Sequence, residues 1–435
     1  MTTGDAPAPA AHVPASAADI PAFAADIPAP AAPVALYVHV PFCRSLCPYC
    51  DFVVVAGAAA VGPRSRVSAY LRAVAAELDM RADALDAAFG RPGSDARPAL
   101  ETVYFGGGTP SLLPPGAIAA LLDQIRARFG LAPGAEVTLE ANPGPDDRGD
   151  LAGLARAGIT RISIGAQSLQ PDELRALGRR HRPADVADVV AGAREAGIAS
   201  VSIDLLYDVP GQTLASWTET LEAALALGPD HVSAYALTLD DPEAEGLTGP
   251  SGDHLPTPPG ARRWREAARA TQDEDRAAGA YGLADAMLEA SGYPWYELSN
   301  WARPGHQSRH NLVYWERRPY AAVGPGAHSF DGAMRHWNAA RLDAWMAALV
   351  SVSGGVAPML PPGGSESLDA ATADTEALFL GLRLARGVPR NAALSRIDAF
   401  AWAAEHGLIE DGPGERVRLT LRGRLLSNEL FARLV

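Results

Sequence analysis

The chain has 435 residues, 48% of them hydrophobic, and a formal net charge of −14 at pH 7, enough length for one large domain and a smaller one. The negative charge argues against a surface that wraps nucleic acid. Only three cysteines are present, so there is no disulfide framework, and a reducing, cytoplasmic compartment fits. Every one of the 37 basic residues is arginine, which with the abundant alanine reads as genome composition rather than function.

Residues 1–33 form an Ala/Pro-rich tail in which Ala17-Ala18-Asp19-Ile20-Pro21-Ala22 recurs at Ala24–Ala29. No lysine or arginine precedes Arg44, so a secretory n-region is missing, and the frequent prolines forbid a membrane helix there. The expectation is a disordered tail. No other segment is long and apolar enough to span a bilayer.

From residue 34 to 350, short β-branched runs alternate with helical runs. Strands are expected at Leu36–Val40, Thr102–Phe105, Glu136–Glu140, Arg161–Ile164, Ser200–Leu206 and His231–Leu237. Between them, apolar residues at three- and four-residue spacing predict helices at Ser68–Ala88, Ile118–Phe129, Leu151–Ala157, Val186–Ala196 and Leu214–Leu227. The fold class is therefore α/β: a parallel sheet with helices outside, curled into a partial (βα)6 TIM-like barrel whose chemistry sits at the strand C-termini. Residues 246–260 read as a loop and 351–368 as a Gly/Pro/Ser-rich linker. Beyond it, residues 369–435 combine helices at Thr375–Arg386 and Phe400–His406 with a hairpin turning at Asp411-Gly412-Pro413-Gly414, a small winged-helix-like α+β module. Its charges are nearly balanced, which favours a packing or lid role over DNA binding.

The residues that carry chemistry fall at the strand ends. Cys43, Cys47 and Cys50 share one loop after the first strand. Thiolates suit soft metals and iron–sulfur clusters, and structural zinc usually takes four protein ligands. Three thiolates on a [4Fe-4S] cluster leave one iron open; the alternative is a zinc site completed by His39. Phe42, Tyr49 and Phe52 are placed to shield a cluster and tune its potential. Gly106-Gly107-Gly108-Thr109-Pro110, after the second strand, lets a ligand approach the backbone and offers carbonyls to an ammonium group, unless it is only a tight turn. Glu140, Gln167 and Asp204 point from neighbouring strand ends toward one mouth. Carboxylates there bind ribose hydroxyls or offset a sulfonium charge, or else cap a helix or bridge to an arginine. Arg179 suits a ligand carboxylate.

The stretch Tyr37-Val-His-Val-Pro-Phe-Cys43 with Cys47 and Cys50 resembles the C-x3-C-x2-C pattern of radical S-adenosylmethionine (SAM) proteins. Gly-Gly-Gly-Thr-Pro, Glu140, Ile164-Gly-Ala-Gln167 and Ile203-Asp204-Leu205-Leu206-Tyr207 narrow the resemblance to the branch of oxygen-independent coproporphyrinogen III oxidases and HemW-type heme chaperones. It covers residues 36 to 435. The resemblance implies a [4Fe-4S] cluster on the three cysteines, its open iron binding the amino and carboxylate groups of SAM. It also implies SAM contacts at Tyr37, Phe52, Gly107, Gly108, Thr109, Glu140, Gln167, Arg179 and Asp204.

Two features separate the branches. The oxidase pattern carries a fourth cysteine two residues after the third, where this chain has Phe52. His310-Asn311-Leu312-Val313-Tyr314-Trp315 matches the HNxxYW motif associated with heme binding in the chaperones, preceded by the similar Tyr296-Glu297-Leu298-Ser299-Asn300. The resemblance thus implies heme contact at His310, Tyr314 and Trp315, with His328 a second candidate ligand. The imidazole can ligate iron and the rings pack on a porphyrin, whereas residue chemistry alone equally allows a hydrogen-bonded loop histidine and a core tryptophan. Pro325, in Gly324-Pro-Gly-Ala-His328, departs from the family's glycine-rich version. The implied function is a chaperone that holds heme and passes it to an acceptor protein, for which respiratory proteins are one class, with at most peripheral membrane association. The alternative is oxidative decarboxylation of coproporphyrinogen III.

Overall fold

The computed structural model describes residues 29–349 and 359–435, so the expected tail over 1–28 and the first part of the expected linker lie outside the described residues. At the end of the segment expected to be a tail, Ala31 donates its N–H to the Asp331 carbonyl at 2.8 Å, and Ala32 is buried. Residues 29–33 are thus docked on the fold.

Six parallel strands follow the expected order: β1 (Ala35–Val40), β2 (Leu100–Gly107), β3 (Leu131–Ala141), β4 (Arg161–Gln167), β5 (Ser200–Tyr207) and β6 (His231–Ala236). Their register sets Val40 against Gly107, Glu140 against Ser163 and Asp204 against Ser233. Each strand is followed by covering helices: α1 (Val67–Phe89) after β1, α2 (Pro115–Phe129) after β2, α3 (Leu151–Ala157) after β3, α4 (Pro171–Ala176) and α5 (Pro183–Glu195) after β4, and α6 (Leu214–Ala226) after β5. The helix starts have local causes. Asp150 accepts the Gly153 N–H to cap α3, Thr213 and Ser216 form a reciprocal box at α6, and Pro occupies the first turn of α2, α4 and α5.

The two faces of the strands differ. Val103, Phe105, Val137, Leu139, Ile162, Ile164, Val201, Ile203 and Val232 face the helices in one continuous core. The alternate positions Thr102, Tyr104, Thr138, Glu140, Ser163, Ser202 and Asp204 are largely polar and face the barrel interior, the period-two consequence of the pleat.

The sheet extends past the six expected strands on both edges. Beyond β6 lie β7 (Trp295–Glu297) and β8 (Asn300–Ala302), both antiparallel. Beyond β1 lies β9 (Tyr320–Val323), parallel to it with Tyr320 opposite Ala35. Antiparallel β10 (His328–Phe330), β11 (Met334–Asn338) and β12 (Gly363–Ser367) follow. The order is β12-β11-β10-β9-β1-β2-β3-β4-β5-β6-β8-β7, an open barrel. Strand β12 corrects the linker expectation over its length. A Gly-Gly-Ser-Glu-Ser string carries no apolar alternation, yet its backbone pairs as well as any other at a sheet edge.

After β6 come α7 (Pro259–Arg269) and α8 (Glu274–Ala290); α9 (Arg309–Trp315) carries the HNxxYW residues, and α10 (Leu342–Leu349) packs on α1. The C-terminal part, from α11 (Ala370–Leu382) onward, has its own core of Leu378, Leu382, Val388, Phe400, Leu408, Leu419 and Leu430 around a three-stranded sheet. It is fastened to the barrel by a buried ion pair: Arg424 reaches both Asp285 oxygens, at 2.6 and 2.5 Å, and lies over the Trp295 ring. Among the described residues no helix is long and apolar enough to cross a membrane.

Removing one partner of such a pair leaves an uncompensated buried charge. Arg424→Ala is expected to cost about 3–5 kcal/mol in chemical denaturation and to make residues beyond α11 sensitive to limited proteolysis. A midpoint unchanged from wild type would show that the attachment does not depend on this pair.

Candidate functional site

The cysteine loop is clamped at both ends. Phe42–Cys43 pairs with Val55–Ala56 as a short parallel ladder, so residues 44–54 leave and return at one place. Cys50 donates its N–H to the Cys47 carbonyl at 3.1 Å, which turns the two thiols inward. The Cys43 sulfur lies 3.4 Å from the Thr109 hydroxyl, and the Cys47 sulfur 3.5 Å from Arg179 Nη1. All three thiols are unpaired and line one cavity of about 430 Å³ at the C-terminal mouth of the barrel. The cavity also holds Gly107, Gly108, Glu140, Gln167, Arg179 and Asp204.

The structure distributes the remaining expected site residues behind that wall. Thr109 is buried and bridges the Cys43 sulfur and the Asn142 amide, the latter at 2.9 Å. The Tyr37 hydroxyl meets His39 Nδ1 at 3.1 Å, and Tyr37 lines a second cavity instead of the first. The ring of Phe52 is 63% exposed and borders both cavities, so it does not seal the first one. Phe42 is fully buried edge-on against Tyr70 and serves the core.

The zinc alternative loses its fourth ligand. His39 is engaged at both ring nitrogens, by Tyr37 and by the Val53 carbonyl at 2.7 Å, and burial lowers its pKa to about 4. Among the described residues no three His, Cys, Asp or Glu side chains are spaced to hold a metal ion. A cube places each thiolate on a different iron, so its sulfurs stand farther apart than donors around one ion. Burial pushes the Cys43 thiol up to about 11 and the Cys50 thiol up to about 12, so both are protonated at neutral pH and loading a cluster must release those protons.

The polar groups at the mouth fit a polar, partly cationic ligand. Glu140 accepts from the Tyr104 hydroxyl and the Gly107 N–H, each at 2.9 Å, and burial raises its pKa to about 7. Burial also raises Asp204, which accepts from Ser163 at 2.8 Å and Ser202 at 3.1 Å. Gln167 adopts a left-handed backbone (φ 61°) unusual for a non-glycine residue, and its Oε1 is buried with no partner among the described residues. Arg179 gives Nη2 to Asn142 at 2.6 Å and to the Gly165 carbonyl at 2.8 Å, leaving Nε buried without a partner. A bidentate grip on a ligand carboxylate is therefore not available; Arg179 instead braces Cys47 and Asn142. Gly107 has φ +111°, and a Cβ there would stand 2.4 Å from the His39 ring, so the close approach of the β2 loop to β1 requires glycine. A strained backbone, an orphaned acceptor and an orphaned donor gathered around a cavity are what a bound ligand satisfies. Cluster, SAM and donor set are compatible here.

The HNxxYW residues converge only in part: His310 and Tyr314 meet, and Trp315 does not join them. His310 and Tyr314 lie four apart on one face of α9, and the Tyr314 hydroxyl meets His310 Nε2 at 2.8 Å. His310 Nδ1 meets the Thr102 hydroxyl of β2 at 2.7 Å, and the ring is 1% exposed against Tyr104. The backbone N–H groups of Arg309 and His310 are taken by the Glu136 carboxylate. Helix α9 thus plugs the floor of the polar barrel. In this conformation His310 offers no nitrogen to an iron, which corrects the direct-ligand expectation. Tyr314 borders the second cavity, while Trp315 turns away beneath the Arg383 guanidinium, 4.3 Å from its ring centre.

Asn142, Ser163 and Arg161 also line the first cavity without having been singled out from sequence. Asn142 sits in the Glu140-Ala141-Asn142-Pro143 strand end and could have been found there; Ser163 and Arg161 could have been found only from the inward alternation of β4.

Replacing His310 leaves a void and two buried hydroxyls without partners. His310→Ala is expected to cost about 2–4 kcal/mol in urea denaturation. Burial lowers the His310 pKa to about 3, so its share of stability is complete above the unfolded value near 6.5 and is lost as pH falls toward 3. The variant's acid transition should be correspondingly shallower. A stability equal to wild type would exclude the plug role.

Comparison with known proteins followed the same direction. Residues 37–224 match the model of the radical SAM superfamily. The chain is 38% identical over 407 residues to the heme chaperone HemW of Mycobacterium tuberculosis, covering 93% of this chain and 95% of the relative. It is 35% identical over 357 residues to HemW of Synechocystis, covering 82% and 79%, and 36% identical over 296 residues to HemW of Escherichia coli, covering 68% and 70%. The solved structure of Escherichia coli coproporphyrinogen III oxidase (HemN) superposes with a TM-score of 0.73 over 93% of this chain and 90% of that one, at 22% identity, a likeness of fold. An open α/β barrel with three thiols at its mouth, and a relative 38% identical over 95% of its length, place the chain in the HemW family of radical SAM proteins.

Proposed function

We propose that this protein binds heme and delivers it to an acceptor protein, and that it carries a [4Fe-4S] cluster and SAM in doing so. The observation that carries the reading is the 38% identity, across almost the entire chain, with a protein named as a heme chaperone. Phe52 supports it, standing exposed at the rim where the oxidase pattern has its fourth cysteine.

The residues divide the work as follows. Cys43, Cys47 and Cys50 hold the cluster, which supplies an iron with an open coordination position. Glu140 and Asp204, both deeply buried, offer negative charge to a cationic ligand and acceptors to sugar hydroxyls. Gln167 presents its unpartnered carbonyl oxygen, and Arg179 keeps Cys47 and Asn142 in place. Loading heme and handing it on need an exposed, reversible site on the same chain. The reducing compartment inferred from cysteine usage suits the cluster, and any membrane association is peripheral.

Three measurements test this reading. In cluster-reconstituted protein, SAM is expected to bind more tightly as pH rises from 6 to 8, because Glu140 loses its proton near 7 and its anion is the form that meets a sulfonium. Glu140→Gln should weaken SAM about 10–100-fold and flatten that pH dependence; an unchanged profile would remove Glu140 from the site. For the function itself, hemin titration should give a shifted Soret band, and an anaerobic assay with coproporphyrinogen III, SAM and reductant should give no protoporphyrinogen. Product formation without hemin binding would reverse the assignment in favour of the oxidase.

A further inference from the structure

The second cavity, of about 270 Å³, lies on the flank of the cysteine loop and is bordered by Phe52, His254, Tyr314, Tyr320 and His328. Asp253 stands between the two histidines: one carboxylate oxygen is 3.1 Å from His254 Nδ1 and the other 2.8 Å from His328 Nε2. The loop carrying Asp253 and His254 is strapped to the end of β11. Trp337 donates its indole N–H to the Ser251 carbonyl at 3.1 Å, and Ala340 its backbone N–H to the Gly252 carbonyl at 2.8 Å. The His328 ring stacks on Trp337 at 6.0 Å, and the Tyr314 and Tyr320 rings meet edge to face at 4.6 Å.

A carboxylate on Nδ1 fixes a histidine's tautomer and ring orientation and leaves Nε2 with a free lone pair, the arrangement found behind metal-ligating histidines. His254 has that arrangement. Its Nε2 makes no hydrogen bond among the described residues, and its side chain is 28% exposed. His328 is turned the other way: Asp253 holds its Nε2. A bare metal ion is a poor match, because no three suitable side chains are spaced around one point among the described residues. A metalloporphyrin supplies four donors itself and needs one axial nitrogen and aromatic walls. The cavity is smaller than the usual range of about 300–1,000 Å³ for a ligand that is engulfed, so a macrocycle would leave much of its surface open.

We propose that heme docks in this cavity with His254 Nε2 as its axial ligand and Asp253 as the residue that orients it. The inference rests on the heme-binding reading above and moves the ligand from the HNxxYW motif to the loop before α7; Tyr314 remains as a wall. It leaves His310 in its place between Thr102 and Tyr314 and puts cargo beside Phe52.

The test is hemin titration of the full chain, cluster-reconstituted, followed by difference absorption and electron paramagnetic resonance, with circular dichroism melts to confirm folding. His254→Ala should lose the histidine-ligated Soret signature and weaken hemin at least 10-fold. His254→Gly should regain the signature when imidazole is added, and Asp253→Asn should weaken binding while keeping the ligated spectrum. Failure of the wild-type protein to bind hemin would overturn the chaperone reading itself. Hemin binding with an unchanged spectrum in His254→Ala, or a loss that imidazole does not restore, would overturn the location alone. So would loss of the signature in a folded His310→Ala variant while His254→Ala keeps it.

Discussion

The constraint on which the structure depends is the polar lining of its barrel. Threonine, glutamate, serine, aspartate and histidine side chains alternate inward along the strands, and each buried polar group without a partner costs about 1–3 kcal/mol. The fold answers in two ways. On the floor it inserts α9, whose His310 and backbone N–H groups satisfy Thr102 and Glu136. Beside it, Arg161 ties Ser200 to the His306 carbonyl, and His231 joins Ser202 to Tyr296. Ser202 also reaches Asp204, and Tyr296 accepts the Ser308 N–H at the start of α9, so floor and mouth belong to one hydrogen-bonded network. At the mouth the lining is left partly unsatisfied, and there the strained and orphaned groups collect. A polar interior is costly as core and useful as a ligand site, and the helix that fills it decides how much of it stays open.

Much of this was legible in sequence because the signals were local. The six parallel strands and five of their helices follow from β-branched runs, three-and-four spacing and the turns between them. The cysteine loop, Gly107, Glu140, Gln167 and Asp204 follow from their places at strand ends. What was not legible depends on pairing partners distant in the chain. Strand β9 is four residues long and β12 is Gly/Ser-rich; both exist because the edges of the sheet accept backbone regardless of side chain. The HNxxYW residues read as one cluster, but the helical turn keeps only His310 and Tyr314 together and sends Trp315 to Arg383. Arg179, three residues beyond α4, gives no hint that its guanidinium is already committed to Asn142 and Gly165.

The C-terminal part is held to the barrel by several polar ties as well as apolar contact. Its own apolar residues pack among themselves, with Leu298 from the barrel joining them. Arg424 and Asp285 supply a directional, buried tie at one point, and Arg383 over Trp315 supplies another. The second tie ends on α9, so the attachment of the C-terminal part and the plug of the barrel share a helix.

Phe52 has a consequence of a different kind. One weakly held ring borders two cavities, so any molecule that displaces it on one side alters a wall on the other. Equilibrium linkage then demands reciprocity: whatever factor an occupant of the cysteine cavity applies to affinity in its neighbour, the neighbour's occupant must apply in return. A side chain that reads as the mere loss of a cysteine is, in place, a wall shared by two cavities.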